Sequence, residues 1–555
     1  MTWPPSATPG TLADPLYYLH NFRFVLDWVV QRYPDLLSDQ EQSLIGTLRQ
    51  LPEPTQALLV RMVMRKGIHF RADRLDYQEI GTTEAAAAPL LEAGLVSTNP
   101  RLAATTLGSL LTVAELRQLA ALHCPGGTLA RIKRKRDLVE TLQRHCPEDR
   151  CWIEWWPDAP TALYELRIMA FCDRMRLMFF GSLRQEWSTF VLAELGLFRY
   201  ESVSFDKGSR PFTRGLEIDV WLQLHQCRDR FEQGEPVATI LPDVPEAIED
   251  SAWIQARRDR LLFQLAYQLE RQDDLEGAAD LYRGIRAPGA RQRLIRVLER
   301  QNAIDDAVAL LQQALVNPES EAEKQQITRM APRLYRKAGL THEKKQQTPA
   351  FPEATLTLPL SNERVELAVV NQLQQPDAPV YWVENTLINA LLGLLCWPVI
   401  FEPLPGAFFH PYQDGPADLY RPDFFTRRRA AFEDAISALQ TPDYPRLIVE
   451  RWESRQGVQN PFVHWGLVGR ELLTLALACI PPTHLEPMFR RILFDVRANR
   501  SGLPDLIQFW PAQNRYRLVE VKGPGDRLQD NQIRWLKFCV QHGIPAQVLY
   551  VQRSH

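Results

Sequence analysis

The chain has 555 residues, and at that length several domains are expected, because single cores rarely grow past about 250–300 residues. With 45% hydrophobic and 24% charged residues, the composition is that of an ordinary soluble globular protein. A net charge of −3 excludes a uniformly basic nucleic-acid binder but leaves room for a local basic groove, since binding follows the distribution of charge. Residues 1–105 read as a helical N-terminal domain, with apolar stripes from Tyr17 to Val30 and from Ala57 to Met64, and with Leu75 to Val96 closing a small bundle or winged helix.

Residues 106–148 form a compact unit. Thr112 and Glu115 have capping-box spacing, Leu116 and Leu119 mark a buried stripe, and Pro125–Thr128 breaks the pattern. A second helix is then expected to open with Arg131, Lys133, Arg134, Lys135 and Arg136. The unit resembles a SAP module, a helix-loop-helix that lays a basic helix end on DNA phosphates; a solvated charged face is the bland alternative. Residues 149–255 are rich in Trp (152, 155, 156, 187, 221), mostly helical in pattern, and the aromatics are taken as core.

Residues 256–340 contain a repeat. Leu269–Gln272 recurs 29 residues later as Leu298–Gln301, with Leu275 echoed by Ile304, Ala278 by Ala307 and Leu281 by Leu310. This is the logic of TPR-like hairpins, each burying its face on the next. Residues 341–353 read as a linker. Residues 354–555 then form a further domain, opening with a β-hairpin across Ser361-Asn362 between Thr355–Leu358 and Val365–Val369.

The eight Cys are scattered without a repeated C-x-x-C, which points to a reducing compartment rather than a disulfide framework. His145, Cys146 and Cys151, like His225 and Cys227, lack the regular spacing of a zinc site. No charged region followed by an apolar run opens the chain. The longest apolar stretch, Leu387 to Phe401, is too short to span a bilayer and contains Pro398. A cytoplasmic protein with no membrane partner is expected.

The chemistry concentrates at the C-terminal end. Leu506–Trp510 reads as a strand, Pro511–Asn514 as a turn and Arg515–Lys522 as the return strand. Side chains two apart on a strand lie about 6.6 Å apart on one face, so Glu520 and Lys522 point the same way and the hairpin can bring Asp505 beside Glu520. Two such carboxylates bind Mg²⁺ or Mn²⁺, hard cations that prefer oxygen, and the backbone carbonyl of Val521 is a further oxygen ligand. Lys522 would assist the attacking water. Pro-Asp pairs recur elsewhere, but none is followed at hairpin distance by Glu-x-Lys. Asp526 is expected to cap the next helix, on which Leu528, Gln532 and Trp535 share a face, with Gln532 supporting the metal ligands from behind. A surface hairpin with ordinary Glu/Lys alternation is the alternative.

Gly502–Leu506 and Leu518–Leu528, with Gln532 and Trp535, resemble the VRR-NUC nuclease domain of the PD-(D/E)xK fold. More narrowly they resemble the Fanconi-associated nuclease family in its bacterial form. The likeness extends to Asp76–Ile80, the SAP-like unit, Phe190–Gly196, the TPR-like hairpins and Asp423–Arg429. The fold implied is a mainly α, multidomain chain with a C-terminal α/β nuclease domain.

The resemblance also implies that Glu384, in Trp382–Leu387, completes the metal site. The family's animal members flank this Glu with Gly on both sides and this chain does not. It implies cleavage near 5′ flaps, 5′-to-3′ exonuclease action of phosphodiesterase I type, and a role in interstrand crosslink repair. The partner would be branched or flapped double-stranded DNA. Arg427 and Arg428 are candidate DNA contacts, or alternatively part of a helix with a buried aromatic pair and an exposed charged face. No ubiquitin-binding finger is visible. A monomer is expected, because the large asymmetric N-terminal body suits one cut per chain. A dimeric Holliday-junction resolvase and a non-catalytic repair scaffold are the competing readings.

Overall fold

A computed structural model describes residues 14–124, 132–185, 187, 198–248, 250–341, 351–359 and 364–553. The chain divides into two compact units, residues 1–198 with 212–215, and residues 199–211 with 216–555.

In the first unit, helices Tyr17–Arg32, Asp39–Gln50, Glu53–Val63 and Thr83–Glu92 accompany a small antiparallel sheet. Its central strand, Leu163–Leu166, pairs with His69–Arg71 on one side and Val96–Thr98 on the other. The sequence interval between these strands holds the helix pair Val113–His123 and Lys135–His145, packed through Leu116, Leu119, Leu138 and Leu142. Thr112 and Glu115 form the expected capping box. The second helix starts later than the basic run suggests. Arg134 has an extended backbone, so Lys133 and Arg134 precede the helix while Lys135 and Arg136 open it. Arg131 and Phe190–Gly196 lie outside the described residues. Trp152, Trp155, Trp156 and Trp187 are buried here, as Trp221 is in the second unit.

The second unit begins its repeat with α1 (Ala252–Arg271), α2 (Leu275–Arg283), α3 (Ala290–Arg300), α4 (Ile304–Val316) and α5 (Glu321–Lys337). The 29-residue echo has a physical meaning. Glu270 accepts from Arg293 and lies beside Arg300, both on α3, and its counterpart Glu299 pairs with Arg333 and Lys337 on α5. Ala278 and Ala307 are fully buried where helices meet. Asp273 and Asn302, also 29 apart, take the left-handed turn conformation (φ 68° and 63°) that Asp and Asn tolerate better than most side chains.

The remainder carries a five-stranded sheet. Its elements in chain order are β1 (Glu353–Leu358), α6 (Val365–Leu373), β2 (Val380–Trp382), α7 (Leu387–Leu395), α8 (Pro482–Phe494), β3 (Leu506–Trp510), β4 (Arg515–Lys522), α9 (Asp530–Gln541) and β5 (Ala546–Arg553). The strand order is β1-β5-β4-β3-β2. β5 runs parallel to both β1 and β4, and β3 runs antiparallel to β2 and β4. One expectation is overturned: Val365–Leu373 is a helix and not the return strand of a hairpin; Ser361-Asn362 lie outside the described residues. Val365, Ala368 and Val369 recur at helical spacing and pack together against the sheet.

Candidate active site

The β3–β4 hairpin forms as the sequence dictates. Pro511–Gln513 makes a single 3₁₀ turn and Asn514 takes the left-handed conformation (φ 45°) that reverses the chain. Pairing of Leu506 with Val519 continues the register so that Asp505, one residue before β3, stands opposite Glu520. Asp505 is tied to both neighbouring strands. Its Oδ2 accepts from the Val521 N–H at 2.8 Å, and its carbonyl accepts from the Val383 and Glu384 N–H groups at 2.8 and 3.1 Å.

Glu384 is thereby drawn to the same end of the sheet. It lies in the turn between β2 and α7, and the next residue, Asn385, has φ 55°. The Asn385 Oδ1 accepts from the Leu503 N–H at 3.1 Å, which fixes this turn against the approach to Asp505.

The electrostatics of this cluster are unusual. Glu520 is fully buried, and neither of its oxygens has an aligned hydrogen-bond donor among the described residues. Lys522 Nζ lies 2.8 Å from Oε1. Burial pushes the Glu520 carboxyl up to about 8, reinforced by the negative charges of Asp505 and Glu384 and opposed by Lys522. Burial likewise pushes Asp505 up to about 6; the Val521 N–H and Lys522 oppose the rise, while Glu384 and Glu366 add to it.

A buried carboxylate with free lone pairs is costly unless a cation balances it. One Lys stands against three carboxylates, so the donor set suits a hard divalent ion. Among the described residues no three ligating side chains already converge on one point. Asp505 and Glu520 are buried, whereas the Glu384 side chain is exposed at the rim. Glu366, on the first turn of α6, is a nearby carboxylate that sequence reasoning did not single out.

Other predicted residues fall differently. Asp526 does not cap α9; its carboxylate accepts from the Gly523 N–H at 3.0 Å. The N-cap is Gln529, and Gln532 closes the capping box by accepting from the Gln529 N–H at 2.8 Å. Gln532 therefore anchors the start of α9. The Arg428 side chain has no exposure and pairs through both terminal nitrogens with Asp418, itself 2% exposed, at 2.9 and 3.1 Å. Arg427 pairs with the same carboxylate and with the Pro405 carbonyl. The expectation that Arg428 contacts DNA is corrected, because it is buried against Asp418, ten residues upstream; Arg427, partly exposed, is engaged by the same carboxylate. Lys133, Arg134, Lys135 and Arg136 are exposed, with Arg136 bonded to Glu140 one turn on at 2.7 Å.

A cationic cluster was not legible in the sequence, because its members come from three separate segments. Burial holds the Arg257 guanidinium down to about 10, helped by Arg228 and Arg260, against a smaller opposing effect of Asp229. Arg260 is also lowered, by burial first and then by Arg497 and Arg228. Arg257 stacks over the Trp221 ring at 3.7 Å. Burial is the larger cause of both shifts and mutual repulsion the smaller, and Arg228 is itself paired with Glu232 at 2.8 Å.

Three family models match the chain: a FAN1 HTH domain over residues 16–97, a Fanconi anemia-associated nuclease SAP domain over 102–155, and a VRR-NUC domain over 440–553. A Fanconi-associated nuclease 1 homolog of Pseudomonas aeruginosa is 50% identical over 543 residues, covering 98% of this chain and 96% of the relative. The chain belongs to the Fanconi-associated nuclease 1 family. It is a nuclease with a VRR-NUC domain, and that domain implies a divalent metal cofactor. The human Fanconi-associated nuclease 1 is 24% identical over 668 residues, 98% of this chain and 63% of the relative. Among solved structures, paFAN1 bound to 2-nucleotide 5′ flap DNA with a gap matches with a TM-score of 0.91 at 49% identity, covering 98% of this chain and 100% of that one. Among the described residues, no helix is long and apolar enough to cross a membrane.

Proposed function

We propose that this family member is a structure-specific DNA nuclease that cuts near 5′ flaps, acts as a 5′-to-3′ exonuclease and serves interstrand crosslink repair. The observation that carries the reading is the buried, donor-poor Glu520 opposite Asp505 and beside Lys522. This centre sits in a chain alike over 98% of its length to a flap-bound relative.

Asp505, Glu520 and Glu384, with the Val521 carbonyl, would hold Mg²⁺ or Mn²⁺. When bound, such an ion polarises the scissile phosphate and makes its water more acidic. The chain's own residues do the rest. The Val521 N–H fixes the Asp505 carboxylate, and burial of Glu520 leaves Lys522 as the cation beside its carboxylate. Lys522 is held beside Glu520, where its ammonium can orient a water and offset charge gathering on the phosphate.

Lys133, Arg134, Lys135 and Arg136 supply phosphate contacts in the first unit. Arg257, Arg260 and Arg497, beside the Glu232-paired Arg228, supply them in the second. Such contacts position the duplex without reading its bases. In this reading the nuclease domain starts near residue 354, the protein acts as a monomer, and it is cytoplasmic, meeting the nucleoid when it acts.

The test is cleavage of end-labelled flap, nicked, single-stranded and four-way-junction DNA with Mg²⁺, Mn²⁺ or EDTA. Preferred metal-dependent cutting near the 5′ flap is expected. Paired symmetric cuts in the junction would favour a resolvase, and no cutting of any branched DNA with Mn²⁺ would favour a scaffold.

A further inference from the structure

The last repeat helix, α5, meets the nuclease helices through one polar stripe. Glu321, Gln325 and Arg329 stand four residues apart and so share a face of the helix. Glu321 pairs with Arg491 of α8 at 2.5 and 2.9 Å, and Gln325 accepts from Arg534 of α9 at 2.7 Å. Arg329 grips Asp530, the first residue of α9, with both terminal nitrogens at 2.6 and 2.8 Å, and Gln326 donates to the same carboxylate at 3.0 Å. The Arg329 hydrogen bond holds the Asp530 carboxyl below its usual range, so this contact is a charged fork.

The next residue, Asn531, carries the contact toward the catalytic loop. Gly502 has φ 88°, and a Cβ placed there would lie 2.9 Å from Asn531 backbone and side-chain atoms. The backbone at Gly502 thus rests on the first turn of α9, three residues before Asp505. Farther along α9, the Trp535 Nε1 donates to the Asn499 carbonyl at 3.1 Å, so the helix holds the segment leading to Asp505 at two points. Within that segment Leu503 donates to Asn385, next to Glu384.

An ion pair as exposed as Arg329–Asp530 adds little to stability. Its geometric position is what distinguishes it. We infer that Arg329 is a positioning residue: by clamping Asp530 it fixes the first turn of α9, and through Asn531 and Gly502 it sets the placement of Asp505 relative to Glu520 and Glu384. This makes the repeat helices part of the catalytic scaffold, and it rests on the reading of Asp505 as a residue of the cutting centre.

The experiment compares wild type, Arg329→Glu, Asp530→Arg and the charge-swapped double variant in the full-length chain. Two measurements are made: hydrogen exchange of the Leu503 amide without metal, and flap cleavage with Mn²⁺ at saturating DNA. Each single variant is expected to exchange Leu503 faster and to lose kcat by about tenfold, as small misplacements of reacting groups do, with Kd for the flap unchanged. The swap is expected to restore both, and Arg329→Lys, which keeps the charge without the fork, is expected to be intermediate. Leu503 exchange and kcat at wild-type levels in the single variants would overturn the inference, as would a loss that the swap fails to rescue. Failure of wild type to cut the flap would instead overturn the function proposed above, while the exchange result still judges the clamp.

Discussion

Asp418 and Glu520 are both buried carboxylates set against basic side chains, and the surroundings of the two could hardly differ more. Asp418 is outnumbered by cations: Arg427 and Arg428 both reach it, and both of its oxygens accept hydrogen bonds. Glu520 is outnumbered by carboxylates, with Lys522 alone against Asp505 and Glu384, and neither of its oxygens has an aligned donor. The first cluster is closed and has no capacity left for a ligand. The second carries excess negative charge and free lone pairs, which is the condition for recruiting a cation. Burial of charge alone does not mark a functional site; the balance of donors and acceptors does.

The comparison can be broken from either side. The largest effect is expected from Asp505→Ala and Glu520→Ala, which should abolish flap cleavage in an end-labelled assay while gel-shift binding of the flap survives. Asp418→Ala should act through stability. It leaves the buried Arg428 guanidinium uncompensated, and breaking such a pair costs about 3–5 kcal/mol, readable by urea denaturation. Glu520→Gln should do the reverse, leaving the metal-free chain close to wild-type stability at pH 7, because a carboxyl raised to about 8 is already largely protonated there.

The pH dependence sharpens the same contrast. Asp505 at about 6 and Glu520 at about 8 bind protons in the folded chain that the unfolded chain has already released at those pH values. For an acid whose folded value is raised, stability rises as pH falls through the folded value. The metal-free protein should therefore melt at higher temperature at pH 6 than at pH 8, and Glu520→Gln should flatten that slope. The smallest effect belongs to the exposed basic run. Replacing Lys133 or Lys135 by Ala should weaken flap binding similarly for all sequences and lower the salt slope by about 1 per lost phosphate contact.

How much of this was legible in the sequence follows from how local each feature is. The catalytic hairpin was readable because turn residues, strand alternation and carboxylate spacing all lie within Gly502–Lys522. The repeat was readable because Leu269–Gln272 and Leu298–Gln301 are near copies, although the role of Glu270 and Glu299 in clasping the following helix needed the structure. Val365–Val369 misled because five residues with apolar positions at both two- and three-to-four-residue spacing do not separate strand from helix; its packing against the sheet decides the matter. Arg427 and Arg428 looked like a DNA-facing run because their neutralising partner depends on how residues 405–428 fold back on themselves. Glu366 and the cluster of Arg228, Arg257, Arg260 and Arg497 were invisible for the same reason, being assembled from distant segments.

The central claim is that the centre around Glu520 is built to take up a divalent cation. Calorimetric titration of the purified chain with Mn²⁺ at pH 7, in two buffers of different ionisation enthalpy, tests it most directly, since binding to carboxylates with raised proton affinity must release protons. Wild type is expected to bind Mn²⁺ with heats that differ between the buffers by the proton released, and Asp505→Ala and Glu520→Gln are expected to lose that binding. Equal Mn²⁺ uptake by wild type and both variants, or binding by wild type without proton release, would contradict the account.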